Sequence, residues 1–216
     1  MKKIDTSKTI LEKQIQNINK ITPLEMIPDL PDKEMKTFHK YLDNCNTYFE
    51  FGSGGSTFQA SKKDNIKCIY SVESDQFWID KLYQYPVINQ SKKVNILYID
   101  IKALPNNYGY PGKDSTYNDW IKYSRAFISL NDSIKKSVDL ILIDGRFRVA
   151  CVLNLFDEID KNTFILFDDF FNRGYYHIVL DYYTVIEKVG RMAVMKKKNI
   201  LPPKKAIIYE YENDSR

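Results

Sequence analysis

The sequence predicts an α/β protein: a mostly parallel sheet with helices on both faces, closed toward its C-terminal end by an antiparallel hairpin. Three observations predict it. Continuous apolar, β-branched runs recur at 47–51, 66–72, 94–99, 138–143 and 163–167, and such runs belong to strands buried on both faces. Segments of helical composition, 56–63, 75–84, 119–135 and 148–160, separate them, which are the crossovers that a parallel sheet requires. The first run stops at Gly52, Gly54 and Gly55, so a strand, a glycine turn and a helix follow one another as in a ligand cradle.

Composition bounds the rest. With 216 residues, 44% hydrophobic and 28% charged, the chain is sized for one core. The opening residues hold no apolar run of signal-peptide length and no window approaches a membrane span, so the expected compartment is the cytoplasm. Cys45, Cys68 and Cys151 are widely spaced among apolar neighbours and read as reduced thiols, neither a disulfide framework nor a zinc site. A net charge of +4, with lysines clustered only at Lys135–Lys136 and Lys196–Lys198, does not demand a nucleic-acid partner.

Residues 1–44 read as an N-terminal helical arm, with Ile10, Ile15, Ile18 and Ile21 at helical spacing, prolines at 23, 28 and 31, and a helix over 32–45 started by Asp32. The principal domain spans 45–216. Tyr48, Phe49 and Phe51 make its first strand, Gly52 to Gly55 its turn, and Ser56 or Thr57 caps the next helix. The stretch 102–120, rich in Gly, Pro, Asn and Tyr, is a long loop, either a binding loop or a surface excursion. Its Tyr108, Tyr110, Tyr117 and Trp120 offer an aromatic platform. A helix over 172–183 precedes two strands, 184–195 and 206–211, joined through a lysine and proline turn. A dehydrogenase-type sheet would continue with parallel units instead.

Ligands of open parallel sheets bind beyond the carboxyl ends of the strands. Those ends carry Gly52 and Gly54, then Glu73, Asp100, Asp144, and the pair Asp168 and Asp169. Glu73 stands where a carboxylate accepts the two hydroxyls of a ribose. The glycine spacing departs from GxGxxG, which suits a nucleoside carrying an amino acid better than one carrying a pyrophosphate.

The stretches EFGSGGST, IYSVES, LYIDI and VDLILIDG together resemble the class I S-adenosylmethionine-dependent methyltransferases over about residues 45–211, with Ser56 where a third glycine usually stands. The resemblance implies a Rossmann-like fold whose seven-stranded sheet ends in the antiparallel hairpin, and S-adenosyl-L-methionine as cofactor. It implies a cofactor site of Glu50, Gly52, Ser53, Gly54, Ser56, Thr57, Glu73, Asp100 and Asp144, with Gly52 to Gly54 beside the methionine portion, Glu73 on the ribose and Asp100 beside the adenine.

Three carboxylates at one rim do not stay ionised together without a cation or shifted pKa values, and Mg²⁺ ligated by Asp144, Asp168 and Asp169 would satisfy them. That set resembles the magnesium-dependent O-methyltransferases of the catechol and macrolide-sugar types, in which the metal holds and acidifies a substrate hydroxyl. His177 is the candidate base, and Asp144 and Arg146 are further catalytic candidates. Arg146, Arg148 and Arg173 either orient an anionic or polyhydroxylated substrate or balance the carboxylates. A looser resemblance to methyltransferases of polysaccharide synthesis implies a hydroxyl of a sugar or glycan precursor as acceptor. A nucleic-acid methyltransferase and a non-catalytic S-adenosylmethionine-binding protein are the alternatives, and a homo-oligomer is compatible with either.

Overall fold

A computed structural model describes residues 25–104 and 107–216. The helical spacing expected over residues 10–21 lies outside the described residues. Seven strands form one sheet in the order β3-β2-β1-β4-β5-β7-β6, with β1 at Thr47–Phe51, β2 at Cys68–Glu73, β3 at Val94–Tyr98, β4 at Leu140–Ile143, β5 at Phe164–Phe167, β6 at Tyr183–Val189 and β7 at Met192–Lys197. The first five strands run parallel. β7 runs antiparallel to both β5 and β6.

Both faces of the sheet are covered, and strand alternation divides the core accordingly. Phe49, Phe51, Ile141, Ile143, Ile165 and Phe167 face one cluster. Tyr48, Ile69, Leu140, Leu142 and Leu166 face the other, with Phe38 and Leu42 of the helix Asp32–Leu42 packed among them. This double burial explains why the central strands read as unbroken apolar runs.

The register decides what the sheet presents at its rim. Phe51 pairs with Val72 on one side and Ile143 on the other, and Ile143 pairs with Phe167. The next residues along, Glu73, Gly52, Asp144 and Asp168, therefore form one row. Because the chain leaves β1 toward β2 and later returns to place β4 on the other flank, that row straddles the point where strand order reverses, the usual place for a ligand crevice.

The structure corrects three expected boundaries. The hairpin turns at Gly190, where φ is +53°, so both of its strands lie before residue 198. The stretch expected as its second strand, 206–211, is part of the helix Lys205–Glu212. Ile207, Ile208 and Tyr211 pack from it onto the core, and the buried Glu212 carboxylate receives Arg125 Nε at 2.6 Å and Tyr117 Oη at 2.8 Å. The expected helix 119–135 is two helices, Tyr117–Ser124 and Asp132–Ser137, and 172–183 contains a 3₁₀ helix, Gly174–Asp181.

Candidate active site

The glycine loop stands on a buried carboxylate. Glu50 is fully buried on β1 and accepts hydrogen bonds from Tyr48 Oη at 2.8 Å, Ser56 Oγ at 2.6 Å, Ser71 Oγ at 2.7 Å and the Thr57 hydroxyl. Burial pushes its pKa up while the hydroxyls pull it down. Ser56 and Thr57 are thus spent beneath the loop, and the Thr57 hydroxyl also receives the Gly54 N–H at 2.9 Å. The loop bends at Gly52, whose φ is +96°. A Cβ there would lie 2.9 Å from the Gly145 Cα, so the tips of β1 and β4 meet through two residues without side chains. Gly54 is different: its φ of 166° is extended backbone, and a Cβ there would meet nothing within 4 Å. The space beside it is open for a ligand.

Glu73, at the end of β2, fastens this loop to the following turn. Its Oε2 accepts the Ser53 N–H at 2.9 Å, and its Oε1 accepts those of Ser74 and Asp75 at 2.6 and 2.8 Å. Burial nevertheless raises its pKa to about 7, against the pull of those three backbone donors. Asp75 caps the helix Gln76–Leu82 through Oδ1, bonded to the Phe77 N–H at 3.0 Å, while its buried Oδ2 has no partner among the described residues. Asp100 stands apart from the row. β3 is the sheet's edge strand on this side, and Asp100 is half-buried there, paired with Lys102.

The acids after β4 and β5 meet arginines. Arg148, buried at the start of the helix Arg148–Leu155, reaches Asp144 Oδ1 at 2.9 Å and Asp169 Oδ2 at 3.4 Å, and donates to the backbone oxygens of Asp144, Gly145 and Asp168. Arg173 holds Asp169 Oδ2 at 2.5 Å. Arg191 Nε lies 3.2 Å from Asp168 Oδ1 and 3.1 Å from Asp169 Oδ1. Burial, Asp144 and Asp169 raise the Asp168 pKa to about 7, against the pull of Arg148 and Arg191. Burial likewise raises that of Asp144, with Arg148 opposing. The backbone is strained here: Phe147 and Asp169 both take left-handed conformations, at φ +53° and +59°, as functional turns often do.

This arrangement corrects the expected metal centre. The cations that let Asp144, Asp168 and Asp169 share one rim are three guanidinium groups, and they engage every carboxylate oxygen of the set except Asp144 Oδ2. Among the described residues no group of three acidic, histidine or cysteine side chains has the disposition of a metal site. The donor set does not fit Mg²⁺. The expected base is displaced as well: His177 Nε2 lies 3.0 Å from the Phe170 carbonyl oxygen and its ring packs on Phe170, away from the cleft lining.

The row opens into a cleft of ≈ 650 Å³ lined by Gly52 to Ser56, Glu73, Asp144 to Arg146, Asp168 and Asp169. Glu50, Thr57, Asp100 and His177 are not in that lining. Sequence reasoning missed Arg191, because the turn that carries it was expected inside a strand. It also missed Trp78 and the segment Met26–Asp29, which walls the cleft. A Cβ on Gly55 would lie 2.3 Å from Pro28 N, so Gly55 serves the packing of this segment and not the ligand; the prolines at 28 and 31 were its only signal.

No protein-family model matches the chain, and no curated protein is similar to it in sequence. Solved structures are. A methyltransferase-like protein from Silicibacter pomeroyi superposes with a TM-score of 0.76 at 26% identity, covering 89% of this chain and 99% of that one. A Staphylococcus aureus protein provisionally assigned as a caffeoyl-CoA O-methyltransferase superposes with a TM-score of 0.52 at 14% identity, over 88% and 91% of the two chains. A Klebsiella pneumoniae protein provisionally assigned as an O-methyltransferase gives 0.52 at 13% identity, over 92% of each; at such identities these two speak for the fold alone. The sheet order, the terminal antiparallel hairpin and these neighbours together make the chain a member of the class I S-adenosylmethionine-dependent methyltransferase superfamily.

Proposed function

We propose that this S-adenosylmethionine-dependent methyltransferase methylates a hydroxyl oxygen of a sugar or glycan precursor, with a carboxylate of the chain and not a metal ion taking the proton. One observation carries the reading. Beside the glycine loop, at the tip of β4, stands Asp144, a carboxyl whose Oδ1 is held by Arg148 at 2.9 Å and whose pKa burial raises, with Arg148 opposing.

The donor fits the residues present. The open space at Gly54 receives its amino-acid portion, Glu73 takes its ribose in this reading, and ≈ 650 Å³ is ample for a nucleoside of this size. When bound, the donor supplies an electrophilic methyl group on a sulfonium. The chain's own residues do the remainder. Asp144 Oδ2 accepts the acceptor's hydroxyl proton, and Arg148, fixed by five acceptor atoms, keeps that carboxylate aimed. Trp78 and Tyr110 of the lining offer apolar ring faces beside polar groups, the mixture a saccharide ring presents in return. No described helix is long and apolar enough to cross a membrane.

The test is transfer of labelled methyl from S-adenosylmethionine to a panel of saccharides and nucleoside-diphosphate sugars, with and without EDTA. Label appearing in a saccharide ether, undiminished by EDTA and lost in Asp144→Asn, is expected. Transfer that EDTA abolishes, or transfer only to nucleic acid, contradicts the reading.

A further inference from the structure

Among the described cations lining the cleft, Arg146 has no counter-ion. Arg148, Arg173 and Arg191 each pair with Asp144, Asp168 or Asp169. Arg146 is 7% exposed, yet its Nε and Nη1 have no hydrogen-bond partner among the described residues. What it has is a ring: the guanidinium carbon lies 4.2 Å from the centroid of Tyr110. Stacking on an aromatic face occupies the flat side of a guanidinium and leaves its in-plane donors available. A buried cation whose donors lack a protein partner is strongly attractive to an anion entering the cleft.

We propose that Arg146 receives an oxyanion carried by the acceptor, which makes the substrate an acidic saccharide bearing a carboxylate or a phosphate; this rests on the donor and acceptor reading above. The side chain leans toward the loop that covers the cleft: a Cβ built on Gly109 would lie 2.9 Å from Ser74 Oγ and 3.7 Å from Arg146 Cγ. The donor's own carboxylate travels with its amino-acid end, toward the bend at Gly52 to Gly54. Arg146 is therefore left for the second substrate, with Tyr110 fixing the plane of its fork.

The experiment is calorimetry on the full chain. S-adenosylhomocysteine is titrated first into wild type and Arg146→Gln, and the saturated proteins are then titrated with glucuronate, glucose and inorganic phosphate. Wild type is expected to bind phosphate and to prefer glucuronate over glucose by about tenfold or more. Arg146→Gln should erase that preference while leaving the S-adenosylhomocysteine affinity within about twofold. The ligand-free variant should melt no lower than wild type, since the charge it loses is unpaired.

Equal binding of glucuronate and glucose, or no binding of either anion, overturns the proposal. So does a fall of about tenfold in S-adenosylhomocysteine affinity with 5′-methylthioadenosine unaffected, which would assign Arg146 to the donor's carboxylate. Should S-adenosylhomocysteine fail to bind while glucuronate binds through Arg146, the donor reading falls and the anion site stands.

Discussion

The two halves of the cleft solve the same problem in opposite ways. On the β1–β2 side, Glu50 and Glu73 are buried and satisfied by neutral donors, four hydroxyls in one case and three backbone N–H groups in the other. On the β4–β5 side, Asp144, Asp168 and Asp169 are held by the charged arginines 148, 173 and 191. Neutral donors fix a backbone shape and leave no strong field, which suits a cradle for a donor molecule. Charged pairs hold several ionisable groups at one point, which suits proton transfer.

The comparison breaks most severely at Arg148. Replacing it with Met leaves Asp144 and the buried Asp169 without the cation they share, and about 3–5 kcal/mol of unfolding free energy should be lost. Denaturant titrations should show a smaller loss at pH 5 than at pH 8, because Asp168, raised to about 7 and drawn on by Arg148, is protonated at the lower pH. On the neutral side no substitution should respond to pH in that way except at Glu73.

Asp144→Asn comes next, read on catalysis. Turnover should fall about 10²–10⁴-fold, with S-adenosylhomocysteine affinity kept within about twofold. An equal loss of donor affinity would move Asp144 to the cradle half.

Glu73 sharpens the comparison through pH. Its folded pKa of about 7 lies above the model-compound value of 4.5, so the folded state holds that proton more tightly than the unfolded one does. The stabilisation it contributes is complete below about pH 4.5 and is lost as pH rises through about 7. Asp168, raised to about 7 from 3.8, adds to the same slope. Unfolding free energy should therefore fall between pH 5 and pH 8, by about 1–3 kcal/mol for Glu73. Glu73→Gln should remove its share of the slope; a slope unchanged in that variant would show Glu73 ionised throughout.

Gly52→Ala combines a left-handed φ with a 2.9 Å approach to Gly145 and should cost about 1–3 kcal/mol. The smallest effects belong to Asp100→Asn and His177→Ala, at positions outside the cleft lining. Each should change stability by less than about 0.5–1 kcal/mol and turnover by less than about threefold, checked by melting and by initial rates.

Much of the cradle half was legible in the sequence because its parts are local. Strand, glycine bend and Glu73 lie within about twenty-five residues, and parallel register then aligns the strand ends. Even there a sequence does not say that the side-chain oxygens of Glu50, Ser56 and Thr57 satisfy one another beneath the loop. The acidic half was legible only in its acids. Arg191 reaches them from a hairpin turn whose position was expected elsewhere, and Glu34, from the helix before β1, accepts the Arg191 N–H at 3.0 Å to set that turn. Partners brought together by tertiary packing across such separations leave no spacing to read, so a metal stood in for them. Asp100 stands outside the row for a simpler reason: it follows the edge strand, two residues beyond the pairing of Tyr98 with Glu73.

The central claim is that the open space at Gly54 is where the donor lies. Because a side chain there meets nothing within 4 Å and the backbone is extended, Gly54→Val fills the cradle without disturbing the fold. Calorimetric titration with S-adenosylhomocysteine should give micromolar binding to wild type and a loss of about tenfold or more in Gly54→Val, at an unchanged melting temperature. Equal binding to the two proteins would contradict the account.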